Sequence, residues 1–254
     1  MNIYKITFSP TGGTKKVADI LASELGQNIT DVDLTKGNEV LHEFSITNED
    51  VAIFAVPSYS GRVPSTAAER ISRIQGNGAK AIMVCVYGNR AYEDTLVELQ
   101  DLVQKAGFTV VSAVAAIAEH SIAHKYAKNR PDKDDNRLLK GFAAKINEKL
   151  HKKDFSTPEI PGNRPYRKAD NAGVVPKPTK ACNKCGLCAS RCPVGAIIDK
   201  NNPAKVDKRA CISCMRCVSV CPHKARKING LLLAVVNLML KKACSVRKEC
   251  ELYI

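Results

Sequence analysis

The stretch Ile3-Tyr4-Lys5-Ile6-Thr7-Phe8-Ser9-Pro10-Thr11-Gly12-Gly13-Thr14-Lys15-Lys16-Val17-Ala18-Asp19-Ile20-Leu21 changes its hydrophobic period partway along. Residues 3–8 alternate as a short strand, and the positions that follow put Val17, Ala18, Leu21 and Leu25 on one helical stripe. A strand, a glycine turn and a helix in direct succession open a parallel α/β sheet. The first amides of a helix lack intrahelical partners, and short hydroxyl side chains can join them. Ser9, Thr11, Gly12, Gly13 and Thr14 are therefore candidates to hold a phosphate. The segment has neither the lysine of a GxxxxGK[ST] loop nor the GxGxxG spacing that carries a dinucleotide, so a monophosphate fits it better.

The same alternation continues outward from this unit. Asn28 to Leu34, Asp50 to Val56, Lys80 to Tyr87 and Thr109 to Ile117 read as strands. Ala67 to Ile74, Glu93 to Lys105 and Arg137 to Leu150 read as helices, the last with Leu138, Leu139, Phe142, Ile146 and Leu150 on one face. Five apolar strands separated by helices imply a parallel sheet covered on both sides, with ligands beyond the carboxyl ends of its strands. Three loops should project there: 9–14, 57–64 and 88–92. In the second, Pro57, Ser58, Tyr59, Ser60 and Gly61 are candidate contacts for a flat heteroaromatic ring. In the third, Gly88, Asn89, Arg90 and Tyr92 are. Tyr59 and Tyr92 would flank the ring while backbone groups of Gly61, Gly88 and Asn89 reach its polar edge. The segment 118–135 carries His120, a candidate catalytic acid because histidine titrates near neutral pH unaided. A hydrogen-bonded loop histidine is the alternative role.

Beyond residue 178 the chemistry changes. Eight of the 11 cysteines form two copies of one spacing, Cys182, Cys185, Cys188, Cys192 and Cys211, Cys214, Cys217, Cys221, each closed by a proline, Pro193 or Pro222. This C-x2-C-x2-C-x3-C-P run holds cubane iron-sulfur clusters, and in it the fourth cysteine serves the other cluster. One 4Fe-4S cluster should take Cys182, Cys185, Cys188 and Cys221, and the second Cys211, Cys214, Cys217 and Cys192. A zinc site would leave the third cysteine of each run unused. A disulfide framework would suit a short secreted chain, and MNIYKITFSP has none of the features of a signal peptide. Oxygen-sensitive clusters without such a signal point to the cytoplasm.

The segments SPTGGT, PSYSGRVP and YGNRAYEDTL resemble those of flavin-binding, flavodoxin-like domains. In that family the first loop holds the FMN phosphate and the two later loops hold the isoalloxazine. The resemblance implies a five-stranded sheet of order 2-1-3-4-5 over the first 150 or so residues. With the cysteine runs, the whole chain resembles the flavodoxin-ferredoxin fusion proteins of anaerobic bacteria and archaea labelled EFR1-family ferredoxins. Flavodoxins usually place threonine or serine where Gly13 stands, and a tryptophan often stacks on the ring. The chain has no tryptophan, which makes Tyr59 the natural substitute.

The expected division is a flavodoxin-like domain over 1–153, a linker over 154–178, a small α+β two-cluster ferredoxin domain over 179–229 and a helical tail over 230–254. The linker holds five prolines and should be a stiffened connector with some freedom. The cluster segment has too few apolar residues for a core of its own, so metal should supply its folding energy. In the tail, GLLLAVVNLML is too short to span a bilayer, which takes about 20 residues. It should form a helix buried between the domains or in a homodimer contact, a membrane-surface helix being the alternative. Cys85, Cys244 and Cys250 match no ligand pattern.

Charge is divided as sharply as chemistry. Residues 1–150 hold 18 basic and 18 acidic side chains, so the formal net charge of +14 lies entirely in the remainder. Such a face would steer an acidic redox protein or an anionic substrate. Nothing resembles a nucleic-acid motif, and aromatic content is only 5%. The expected function is electron transfer between two 4Fe-4S clusters and one FMN. Electrons from a low-potential donor would reach a small-molecule or flavin-type acceptor, the alternative being a carrier between redox proteins.

Overall fold

The computed structural model describes residues 2–36, 45–169 and 171–254. In chain order the first part contains β1 (Ile3–Thr7), α1 (Gly13–Leu25), β2 (Ile29–Asp33), β3 (Val51–Pro57), α2 (Ser65–Ile71), β4 (Lys80–Tyr87), α3 (Thr95–Lys105), β5 (Thr109–Ile117) and α4 (Lys133–His151). The second part contains β6 (Lys177–Pro178), α5 (Leu187–Ser190), α6 (Arg216–Ser219), β7 (Arg226–Lys227), α7 (Gly230–Cys244) and β8 (Glu251–Tyr253).

The main sheet has the order β2-β1-β3-β4-β5-β8. Its first five strands are parallel, with Ile6 opposite Phe54 and Phe54 opposite Met83 at the centre. β3 is buried along its whole length, as a strand covered on both faces must be. Helical crossovers through α1, α2 and α3 connect β1 to β2, β3 to β4 and β4 to β5. α1 packs with α4, and α2 with α3. On α1 the expected stripe of Val17, Ala18, Leu21 and Leu25 is buried, joined by Ala22. Each large aliphatic side chain so buried contributes about 1.5–3 kcal/mol.

Two features differ from the sequence expectation. The sheet has six strands, not five, because β8 pairs antiparallel with β5, Leu252 opposite Val114. The tail is thus a helix followed by a strand that covers the sheet edge. Helix α4 also starts four residues before Arg137, because the polar run preceding it contains the cap. Asp132 accepts from the amides of Asp134 and Asp135, both at 3.1 Å, and Asp135 accepts from the Asp132 amide at 2.9 Å.

Residues 154–169 are tied to α3 rather than free. The Asp94 carboxylate accepts from the amides of Asn163 (2.8 Å) and Arg167 (2.7 Å). Burial works against its ionised form, but these bonds outweigh burial and hold the carboxyl below its ordinary range. Asp101 pairs with Arg164 and Tyr166. Replacing Asp94 by alanine is expected to release this strap and accelerate tryptic cleavage after Arg167 at least about tenfold, the response to ~1.4 kcal/mol of lost local stability. Unchanged cleavage kinetics would show that Asp94 does not hold it.

The cluster segment docks on the sheet's carboxyl rim. Arg70 of α2 donates to the Pro193 carbonyl at 2.8 Å, and Arg216 and Ser219 of α6 donate to the Pro10 carbonyl at 3.1 and 3.2 Å. α7 lies alongside, its inner face on Ile122, Val174 and Met215 and on Ala123 and Tyr126. Its outer face leaves Leu231, Val235 and Leu238 exposed. No helix among the described residues is long and apolar enough to cross a membrane.

Candidate functional site

The loop after β1 is held at both ends. The Ser9 amide donates to Thr35 Oγ1 at 2.9 Å, and Ser9 Oγ accepts from the Lys15 amide at 2.9 Å. Gly12 takes φ +94°, a conformation glycine adopts without strain, and this turns the chain into α1. Among the described residues the amides of Thr11, Gly12, Gly13 and Thr14 find no protein acceptor. Four unspent donors at a helix start are the cradle a phosphate needs.

This loop opens onto a cavity of about 390 Å³, within the usual size range of small-molecule and cofactor sites. Of the expected contacts, Thr11, Gly13, Thr14, Pro57, Ser58, Tyr59, Ser60, Gly88, Arg90 and His120 line it. Ser9, Gly12, Gly61, Asn89 and Tyr92 do not. Ser9 is spent on Lys15, and Gly61 faces Glu93 and Arg167. Asn89 donates to the carbonyls of Cys244 (2.9 Å) and Val246 (2.8 Å) and accepts from the Lys248 amide (3.1 Å). Tyr92 packs on Tyr87, and its hydroxyl meets Glu251 and Tyr253, both at 2.6 Å. The pair of flanking tyrosines is therefore reduced to Tyr59, and Asn89 and Tyr92 instead fasten the tail.

Further walls come from the linker, the cluster segment and the apolar run of the tail. Arg167, Ala172 and Val174 of the linker, Ile212 and Ser213 of the cluster segment, and Val236, Met239 and Leu240 of α7 complete the cavity. Ile212 and Ser213 lie between Cys211 and Cys214, and Ser213 Oγ accepts from the Val174 amide at 3.1 Å. Tyr59 is close enough to Cys214 that the thiol adds to the effect of burial in pushing the phenol well above its ordinary range. No local sequence signal could have found these contacts, since all depend on how distant segments dock.

His120 also departs from expectation. Its Nδ1 accepts from the amides of Ile122 and Ala123, both at 3.2 Å, so the ring proton belongs on Nε2. The ring lies against Gly88, where a Cβ would stand only 2.6 Å away. Burial, aided by positive charge from His124 and Arg90, pushes its pKa down to about 4. At neutral pH His120 is an uncharged hydrogen-bond donor, not an acid titrating near 7. The ring resonances are expected to titrate with a midpoint near 4 in the folded protein, whereas a midpoint near the ordinary value of 6.5 would contradict the assignment. The sign for stability follows. The neutral ring favours the fold above pH 6.5, and that contribution, up to about 3 kcal/mol, is lost as pH falls toward 4.

The cysteines gather as the crossed sets. Cys182, Cys185, Cys188 and Cys221 line one cavity, and Cys192, Cys211, Cys214 and Cys217 line another. Burial pushes the Cys214 thiol up to about 12 and Cys217 up to about 11, so a bound cation must supply the drive to thiolate. Four sulfurs around each cavity fit a cubane. Cys85, Cys244 and Cys250 are buried elsewhere.

The flavodoxin family model matches residues 6–129 and the 4Fe-4S dicluster domain model matches residues 181–226. Among curated proteins, the Salmonella typhi "Thiosulfate reductase electron transfer subunit PhsB" is 42% identical over 52 residues, 19% of this chain and 27% of that protein. A subunit of the ion-translocating oxidoreductase complex of Methanosarcina acetivorans is 41% identical over 44 residues, 17% of each chain. The chain thus spans under a third of the length of these relatives. Among solved structures, a Streptococcus pneumonia TIGR4 flavodoxin is 20% identical with a TM-score of 0.40, covering 58% of this chain and 99% of its own. The Megasphaera elsdenii flavodoxin is 16% identical with a TM-score of 0.38, covering 56% and 98%. The chain thus carries a flavodoxin domain, a kind whose cofactor is FMN, followed by a 4Fe-4S dicluster domain.

Proposed function

We propose that the protein accepts single electrons from a low-potential redox protein at the cavity of Cys182, Cys185, Cys188 and Cys221. It passes them by way of the Cys192, Cys211, Cys214 and Cys217 set to the flavin cavity, where a small molecule or free flavin is reduced. When bound, the clusters supply one-electron transfer, and FMN links one-electron to two-electron chemistry. The observation that carries this reading is the shared wall: Ile212 and Ser213, inside the second ligand run, line the cavity reached by Thr11, Gly13, Thr14 and Tyr59. Thr11, Gly13 and Thr14 would hold the phosphate. Tyr59, Ser58 and Gly88 would hold the ring, and neutral His120 would donate a hydrogen bond rather than a proton.

Placement of the partners follows from access. Loop, linker and helix walls surround the flavin cavity, which suits a small acceptor better than a docked protein. Cys185 is exposed, and Lys180, Lys184, Lys200 and Lys224 are exposed in the same segment, which suits an acidic donor. Anaerobic single-turnover mixing of the reduced protein with quinones, nitroaromatics and free flavins tests the assignment. Rapid reoxidation by one of them supports it, and reoxidation only by a second redox protein would make the chain a carrier instead.

A further inference from the structure

The two cysteine runs are repeats, and their symmetry fails at a buried position just beyond each fourth cysteine. Cys192-Pro193-Val194-Gly195-Ala196-Ile197 corresponds to Cys221-Pro222-His223-Lys224-Ala225-Arg226. Ile197, 6% exposed, lines only the cavity of the second ligand set. Its counterpart Arg226, 3% exposed, lines both cavities. One guanidinium nitrogen donates to the Pro203 carbonyl at 2.7 Å and lies 3.8 Å from Cys188 Sγ, a member of the first set. The guanidinium also acts electrostatically on Cys217 and Cys211, both of the second set. Its Nε is buried without any partner.

No carboxylate among the described residues forms an ion pair with Arg226. An arginine cannot neutralise itself by losing its proton, and burying its charge unpaired costs several kcal/mol. The negative charge that offsets it must come from the cavities on either side. A 4Fe-4S cubane with four thiolates carries about two negative charges when oxidised and one more when reduced.

We propose that Arg226 is a shared counter-ion placed between the two cluster sites, and that its charge raises the reduction potential of both. This rests on the two-cubane assignment of the cysteines. A positive charge held between the sites stabilises the reduced form of each, so electrons can occupy the pair without one site trapping them. The Ile197 side of the repeat contributes only a dry wall.

The test is a potentiometric titration of the anaerobically purified full chain, each cluster followed by electron paramagnetic resonance and iron counted first. Arg226→Gln keeps shape and donors but removes the charge. With about eight iron retained, both potentials are expected to fall by about 59 mV, a tenfold drop in each one-electron equilibrium constant. Unchanged potentials, or a fall confined to one cluster, would overturn the proposal. Arg226→Lys keeps the charge and loses the planar fork, so its potentials should stay near those of the unsubstituted protein. A lysine variant whose potentials fall as far as glutamine's, or one that loses iron as glutamine does, would show a role in packing alone. If only the glutamine variant loses iron, the charge requirement stands. An iron count below eight in the unsubstituted protein would fail the two-cubane reading itself, a separate result from any shift in potential.

Discussion

Replacing Cys192 by alanine is expected to damage the cluster held by Cys211, Cys214 and Cys217, although Cys192 precedes them in another run. Iron should fall below about eight per chain, and the resonance lost should be the one lost in Cys214→Ala, not in Cys185→Ala. Cys192 lines the cavity of Cys211, Cys214 and Cys217, which gives the expectation its geometric basis. That same set includes the residues flanking Ile212 and Ser213 at the flavin cavity, so reduction of the flavin by a one-electron donor should slow as well. The expected loss is at least on the order of a hundredfold, equal to ~2.7 kcal/mol of barrier. Loss of the resonance that depends on Cys185 would mean that the fourth cysteine stays with its own run.

The second large effect concerns stability. Asp135 is fully buried, its side chain 0% exposed, and faces Arg130, whose side chain is 4% exposed. The Asp135 carboxylate accepts from Arg130 Nε at 2.8 Å and from the Asp132 amide at 2.9 Å, and Arg247 reaches it at 3.4 Å. Arg130 in turn donates to the Lys248 carbonyl at 2.7 Å, which ties the tail to the base of α4. Asp135→Ala leaves a buried guanidinium without its carboxylate and removes half of the α4 capping box. The expected cost is about 3–5 kcal/mol, a large share of an ordinary domain's stability. Urea denaturation followed by circular dichroism measures it. A loss under about 1 kcal/mol would contradict a pair that depends on mutual neutralisation. Exchange of the Leu252 amide should quicken in the same variant, because β8 follows directly from the tail that Arg130 holds.

Legibility in the sequence follows the range of the interactions. The inner parallel strands and the helix stripe of Val17, Ala18, Leu21 and Leu25 are readable because periodicity is local and burial on both faces leaves continuous apolar runs, whereas the edge strand β2 is mostly not buried. The cysteine sets are readable because spacing alone encodes their chemistry. The three-residue strand β8 is not, since Glu251-Leu252-Tyr253 is a strand only where the β5 edge receives it. Asn89 and Tyr92 look like ring contacts because their loop lies at the rim, yet their side chains turn to a tail some 160 residues later in the chain. The titration of His120 is likewise invisible in the sequence, being set by burial and by the positive charge of His124 and Arg90.

The order in which electrons arrive decides between entry at the clusters and entry at the flavin. Oxidised full-length protein, loaded with FMN and both clusters, is mixed anaerobically with a reduced one-electron donor in a stopped-flow spectrophotometer, and cluster and flavin bands are followed together. Cluster bleaching is expected first, with flavin bleaching following at a rate that does not depend on donor concentration, because the second step is internal to the chain. Flavin bleaching that leads, or that scales with donor concentration independently of the clusters, would mean that electrons enter at the flavin cavity and that the wall formed by Ile212 and Ser213 is not their route.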